Sequence, residues 1–165
     1  MEKSQKLIGF GIMDLARLIG IQPTLLNKFI QRGKYGIAAS VQPGQGQGRE
    51  RRFGEGDAYG IALVYWLFES GLRSETVQYV LNQICGGKLN SRAADAASLI
   101  LRQTTDMLVI NRAPRVGYEK YPAQKTRLVG TAVAARLARE TTTDSVLVLP
   151  VGRLFANLRG KMGGE

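Results

Sequence analysis

The sequence predicts a mainly α, α+β chain: a winged helix-turn-helix over residues 1–87, then a small α/β module over residues 88–165. Three observations carry that expectation. Two short helix patterns with apolar faces are joined through Gly20-Ile21-Gln22, the spacing of a helix-turn-helix. A glycine/glutamine tract, "QPGQGQG", is followed at once by the arginine-rich "RERRF". After Gly86-Gly87 the pattern changes to helical stretches alternating with short runs rich in Val, Leu and Ile.

Taken in order, Ile12, Leu15, Ala16, Leu18 and Ile19 form a helical stripe that Gly20 stops. A second helix begins at Pro23, whose missing N–H is no loss in a first turn. Leu25, Leu26, Phe29 and Ile30 supply its apolar face, and Gly33 ends it. "YGIAASV" (residues 35–41) is a strand candidate. The four glycine and proline breakers of residues 42–48 make regular structure too costly in entropy, and "RERRF" (residues 49–53) can return as a second strand. The product is a long β-hairpin, a wing. A third helix is expected over residues 55–70, burying Ala58, Ile61, Ala62, Val64, Tyr65 and Phe68, with Gly71 as its breaker. Tyr65, Trp66 and Phe68 read as core between this helix and the next. Ser74 is expected to cap a fourth helix through Val77, Val80, Leu81 and Ile84, with Cys85 as a small buried hydrophobe near its end.

Gly86-Gly87 reads as the domain boundary. Beyond it, residues 91–103 are helical and residues 106–112 form a buried strand. Residues 113–125 form a loop holding two prolines and two tyrosines, and residues 126–140 an alanine-rich helix. Residues 144–151 are a second strand and residues 152–162 a last short helix. Strand, helix, strand in that order predicts parallel pairing.

Composition narrows the function. The 44% apolar content fits a folded core rather than disorder. Lys and Arg number 23 against 13 Asp and Glu, a net +10, which points to a polyanionic partner, nucleic acid ahead of a membrane surface. Most of the excess lies after Gly87, where basic residues surround Tyr118 and Tyr121. One cysteine and no histidine leave no disulfide within the chain and no Cys/His metal site, so no cofactor is expected. The opening "MEKSQKLIGFGIMDLARLIG" does not read as a secretory signal, because Asp14 and Arg17 break its apolar run. No apolar run approaches the roughly 18 residues of a membrane span, so a cytoplasmic protein is expected. Asp95, Asp106, Glu119, Glu140 and Asp144 are scattered, and Ser98 and Ser145 lack triad partners. "GEGDAYG" lacks the lysine-serine of a phosphate loop. No enzyme is expected.

A helix-turn-helix lays its second helix in the major groove and reads base edges from that helix's N-terminal side. Gln22, Thr24, Asn27 and Lys28 would face the bases, with Arg32 and Lys34 near the backbone. The wing would deliver Arg49, Arg51 and Arg52 to phosphates or into the minor groove.

"IMDLARLIGIQPTLLNKFIQRG", then "RRF", then "GEGDAYGIALVYWLFESGLRSETVQYVL", resembles the DNA-binding domain of the MerR-type (mercury-resistance regulator) family over about residues 9–84. The resemblance implies a winged helix-turn-helix regulator of double-stranded DNA, and the two-fold sites such regulators read imply a homodimer. Where that family shows Thr-Leu-Arg-Tyr-Tyr, this chain has Leu25-Leu26-Asn27-Lys28-Phe29. Where the family continues into a dimerising coiled coil, this chain breaks at Gly86-Gly87, so assembly falls to the C-terminal half. The effector is left open. Two other classes fit the same residues: an architectural, excisionase-like factor that bends DNA, and an α/β protein that binds an anionic small molecule.

Overall fold

The computed structural model describes residues 9–41, 50–103, 106–112, 126–140 and 145–163. Among them are α1 (Ile12–Ile19), α2 (Pro23–Gln31), a 3-10 turn (Lys34–Gly36), α3 (Glu55–Glu69), α4 (Ser74–Ile84) and α5 (Ala93–Arg102). These are followed by β1 (Met107–Arg112), β2 (Thr126–Val129), α6 (Thr131–Glu140), β3 (Ser145–Leu149) and α7 (Val151–Gly163). The chain is mainly helical with one small sheet, the α+β class expected. Among the described residues, no helix is long and apolar enough to cross a membrane.

The architecture is organised around α3. Ala58, Ile61, Ala62, Leu63, Val64 and Leu67 are all fully buried and lie on every side of the helix. Such a helix has no solvent face and must be enclosed. Helices α1, α4, α5 and α7 enclose it. The closest approach is to α5, where Ala93, Ala96 and Ala97 keep the facing surface low. A Cβ added at Gly60 would lie 2.6 Å from the backbone nitrogen of Ala94 and 2.8 Å from the carbonyl carbon of Ala93. The two helices therefore meet backbone to backbone. Gly86 and Gly87 take left-handed conformations (φ 73° and 87°) and end α4, and buried residues on both sides of them belong to one cluster.

The sheet has the order β2-β1-β3, with both pairings antiparallel. Central β1 is buried on both faces: Leu108 and Ile110 join the main core, and Val109 lies on the other side, the face α6 covers. This corrects the expected parallel pair. The helix expected over residues 126–140 is in fact two elements. Its first four residues pair with β1, Leu128 opposite Leu108, and only after Gly130 does α6 begin. The third strand sets the topology, because β2 returns beside β1 and leaves the opposite edge to β3.

The wing's first strand is also corrected. Residues 35–41 contain no named strand; the chain enters a 3-10 turn in which Tyr35 sits at φ 60°. A left-handed tyrosine resists extended pairing. Among the described residues the two arms of the expected hairpin meet where the Val41 N–H donates to the Arg52 carbonyl (3.2 Å), and Phe53 is bridged to Phe10 from outside the hairpin. The tip, residues 42–49, lies outside the described residues, as does the tyrosine-bearing loop of residues 113–125.

Substituting Gly60→Ala tests the backbone contact. Alanine gains about 1 kcal/mol in helix propensity, while overpacking against immovable backbone costs about 1–3 kcal/mol. A net loss is expected, read as a lower urea midpoint. A higher midpoint would show that α3 and α5 part at no cost.

Candidate nucleic-acid interface

The α1–α2 pair is built by local rules. At the start of α1 the Gly11 N–H donates to the Asp14 carboxylate (3.1 Å). At its end Gly20 turns left-handed (φ 81°), and the N–H groups of Gly20 and Ile21 both donate to the Ala16 carbonyl (2.9 and 3.0 Å). Ile21 is buried and pins the turn. The Gln22 carbonyl then accepts from Leu25 and Leu26 (3.0 Å each), opening α2 with Pro23 in its first turn.

Burial divides α2 in two. Leu26, Phe29 and Ile30 are buried; Gln22, Thr24, Lys28 and Arg32 are exposed, and Asn27 is half-buried. Thr24 and Lys28, four residues apart, lie on one strip of the helix. The buried side is clamped by rings. Phe29 stacks on Phe68 of α3 (centroids 5.3 Å) and meets the edge of Tyr35 (6.2 Å), which also meets Phe68 (6.0 Å).

Tyr35 explains the unexpected turn. It is buried, its hydroxyl lies 2.8 Å from the Ser74 Oγ, and burial pushes its pKa above the ordinary value. Lys34 donates to the same Oγ (3.0 Å). Ser74 is thus the partner of Lys34 and Tyr35 rather than the cap of α4, a position taken by Arg73. Beside this cluster an open groove of about 800 Å³ runs between Arg32, Lys34, Tyr79 and Leu89.

The base of the expected wing hangs on Asp57. Its carboxylate accepts from the N–H of Gly54 (2.9 Å), the N–H of Ser40 (3.0 Å) and the Ser40 hydroxyl. It both caps α3 and holds the chain where it departs toward residue 42. Phe53, fully buried, exchanges backbone hydrogen bonds with Phe10 (2.8 and 2.9 Å). Of the three wing arginines, Arg49 lies outside the described residues. Arg51 is half-buried. Arg52 is engaged in the fold: Nη1 donates to the Gly9 carbonyl and Nη2 to Glu50, both at 3.0 Å.

The aromatic residues of α3 pack against the core, as expected, and have partners beyond α4. Trp66 packs on Phe155 of α7 (5.3 Å), Tyr65 donates to the Gly20 carbonyl (3.4 Å) and Phe68 faces α2. Cys85 is half-buried against the core. The roles of Asp57, Ser74 and Tyr35 are not legible in the sequence, because Asp57 holds Ser40 and Ser74 meets Tyr35 across long stretches of chain. The only local signal was Asp57 three residues after Gly54, at capping distance.

Asp57→Ala should cost about 2–4 kcal/mol, a lost cap plus stranded donors at Ser40 and Gly54. Chemical denaturation measures it; a loss under about 0.5 kcal/mol, the scale of an ordinary surface change, would mean the segment's base is held without this carboxylate.

No model of a known protein family matches the chain, and no curated protein does either.

Proposed function

We propose that the protein is a double-stranded DNA-binding transcriptional regulator. It lays α2 in the major groove and sets the segment through residues 42–53 against phosphates or the minor groove. One observation carries the reading: Thr24 and Lys28 form an exposed polar strip on α2, with exposed Gln22 and Arg32 at its two ends, and the helix's other side is clamped through Phe29 by the rings of Tyr35 and Phe68. A helix so held can present hydrogen-bonding groups to base edges without losing further freedom on binding. Among the described residues neither Lys28 nor Arg32 forms an ion pair, so the cations of α2 and its C-terminal end are not neutralised from within. The net +10 and the resemblance to MerR-type domains support the same reading.

The roles within the proposal differ from residue to residue. Gln22, Thr24 and Lys28 reach toward bases, and half-buried Asn27 contributes from the flank. Arg32, Arg49 and Arg51 serve the backbone. Lys34 and Arg52 act chiefly in holding the interface together, since each already has an internal partner. Assembly as a dimer through the C-terminal half draws support from the sheet, in which β1 is central and, among the described residues, β2 and β3 each have one outer edge with no strand beside it.

A second reading has the groove behind it. Arg32 and Lys34 on one wall, with Tyr79 and Leu89 among its lining, suit a small anionic molecule with an apolar part. A third, an architectural bending factor, uses the same α2 face with little sequence preference.

Mobility shifts across a salt series, with duplexes selected from a random pool and with unselected duplexes, separate the three. Thr24→Ala and Lys28→Ala should each lose about 1–3 kcal/mol on a selected duplex and far less on an unselected one. Arg51→Ala should weaken both alike and lower the salt slope by about one. Equal weakening by all three substitutions, with strong bending, favours the architectural factor. Absence of duplex binding removes the DNA reading and leaves the groove. Sedimentation with and without a palindromic duplex tests the dimer; a monomer under both conditions contradicts it.

A further inference from the structure

We infer that the last helix carries a DNA-backbone contact of its own: Lys161 of α7, seated beside the turn between α1 and α2, holds a phosphate flanking the site that α2 reads. The inference rests on the DNA reading above and adds to it an element from the opposite end of the chain.

The position of α7 is fixed by its apolar side. Val151, Phe155 and Leu158 are buried, and the Phe155 ring meets Tyr59 and Trp66 of α3 at 5.1 and 5.3 Å. Arg159 Nε donates to the Tyr59 hydroxyl (3.3 Å). This seating brings α7 against α1 and sets the Lys161 ammonium 3.4 Å from the carbonyl of Leu18. Leu18 lies in the last turn of α1, just ahead of Gly20, where the chain turns toward Gln22 and the exposed row of α2. Lys161 is exposed, and the carbonyl occupies one of its three ammonium protons. Arg17, also exposed, stands next to Leu18 in sequence. Neither cation forms an ion pair among the described residues.

Two unneutralised cations thus flank the turn through which the chain enters the reading helix. When a helix sits in the major groove, the phosphates of both strands lie along the groove's rims, close to where the helix enters. A flexible ammonium beside that entry is suited to a phosphate as a point charge. The simpler role for Lys161 is to cap the C-terminal carbonyls of α1. That role needs a hydrogen-bond donor near a helix end, whereas phosphate binding needs the charge, so the two can be separated.

Lys161→Gln keeps a donor and removes the charge. The expected result is an unchanged melting temperature and a salt slope for duplex binding lower by about one, with Lys161→Arg restoring the slope. Arg153→Gln, an exposed cation near the other end of α7, should leave the slope as it is. A second measurement needs no substitution: bound duplex should slow acylation of Lys161 by acetic anhydride several-fold, read by mass spectrometry. An unchanged slope in Lys161→Gln, a fall matched by Arg153→Gln, or equal acylation with and without duplex each overturns the inference. If any of these occurs while Thr24→Ala and Lys28→Ala still lower selectivity, the DNA reading stands and only the α7 contact falls. If the unmodified protein binds no duplex, both fall.

Discussion

The structure depends on the enclosure of α3. A helix apolar on every side cannot exist against water, and burying it requires partners from both ends of the sequence. The backbone contact at Gly60 lets α5 close one side, and α1, α4 and α7 close the others. Each end of this helix then serves the candidate interface. At the N-terminal end Asp57 gathers the chain entering residues 42–49. At the C-terminal end Phe68 stacks on Phe29 and fixes the angle of α2. Helix α2 and the arginine-bearing segment are thus both referred to α3.

Charge is deployed differently from bulk. The apolar side of α2 is spent on packing, while its polar side offers Gln22, Thr24, Lys28 and Arg32 to solvent with no internal acid to answer the cations. Three basic groups are tied to neutral oxygens, one of them also to a neighbouring glutamate: Lys34 on Ser74, Arg52 on the Gly9 carbonyl and Glu50, Lys161 on the Leu18 carbonyl. Such contacts orient a cation without cancelling it, save at Arg52. A surface of this kind attracts a polyanion from a distance and positions it on contact.

The first half of the chain was legible in its sequence wherever the cause was local. The stripe of Leu15, Ala16 and Leu18, the stop at Gly20, Pro23 in a first turn and the break at Gly71 act over one or two turns, and α1 to α4 lie where those residues put them. The exposed row of α2 followed from the same periodicity. What could not be read depends on distant partners. Tyr35 adopts a left-handed turn because its hydroxyl reaches Ser74 and its ring meets Phe29 and Phe68. Residues 126–129 carry a strand because β1 offers them a ladder, against the helical pull of the alanines that follow. Trp66 meets Phe155 of α7, and α1 meets Lys161, both partners coming from the far end of the sequence. Arginine clustering in "RERRF" gave no sign that Arg52 would be absorbed into the fold.

Amide chemical-shift mapping of the full chain, titrated with a duplex selected from a random-sequence pool, tests the central claim most directly. The account predicts that the largest changes fall on residues 22–28, with smaller ones at the turn beside Leu18 and at the end of α7, while β1, β2 and β3 stay in place. Changes confined to the sheet, or none at saturating duplex, would contradict it.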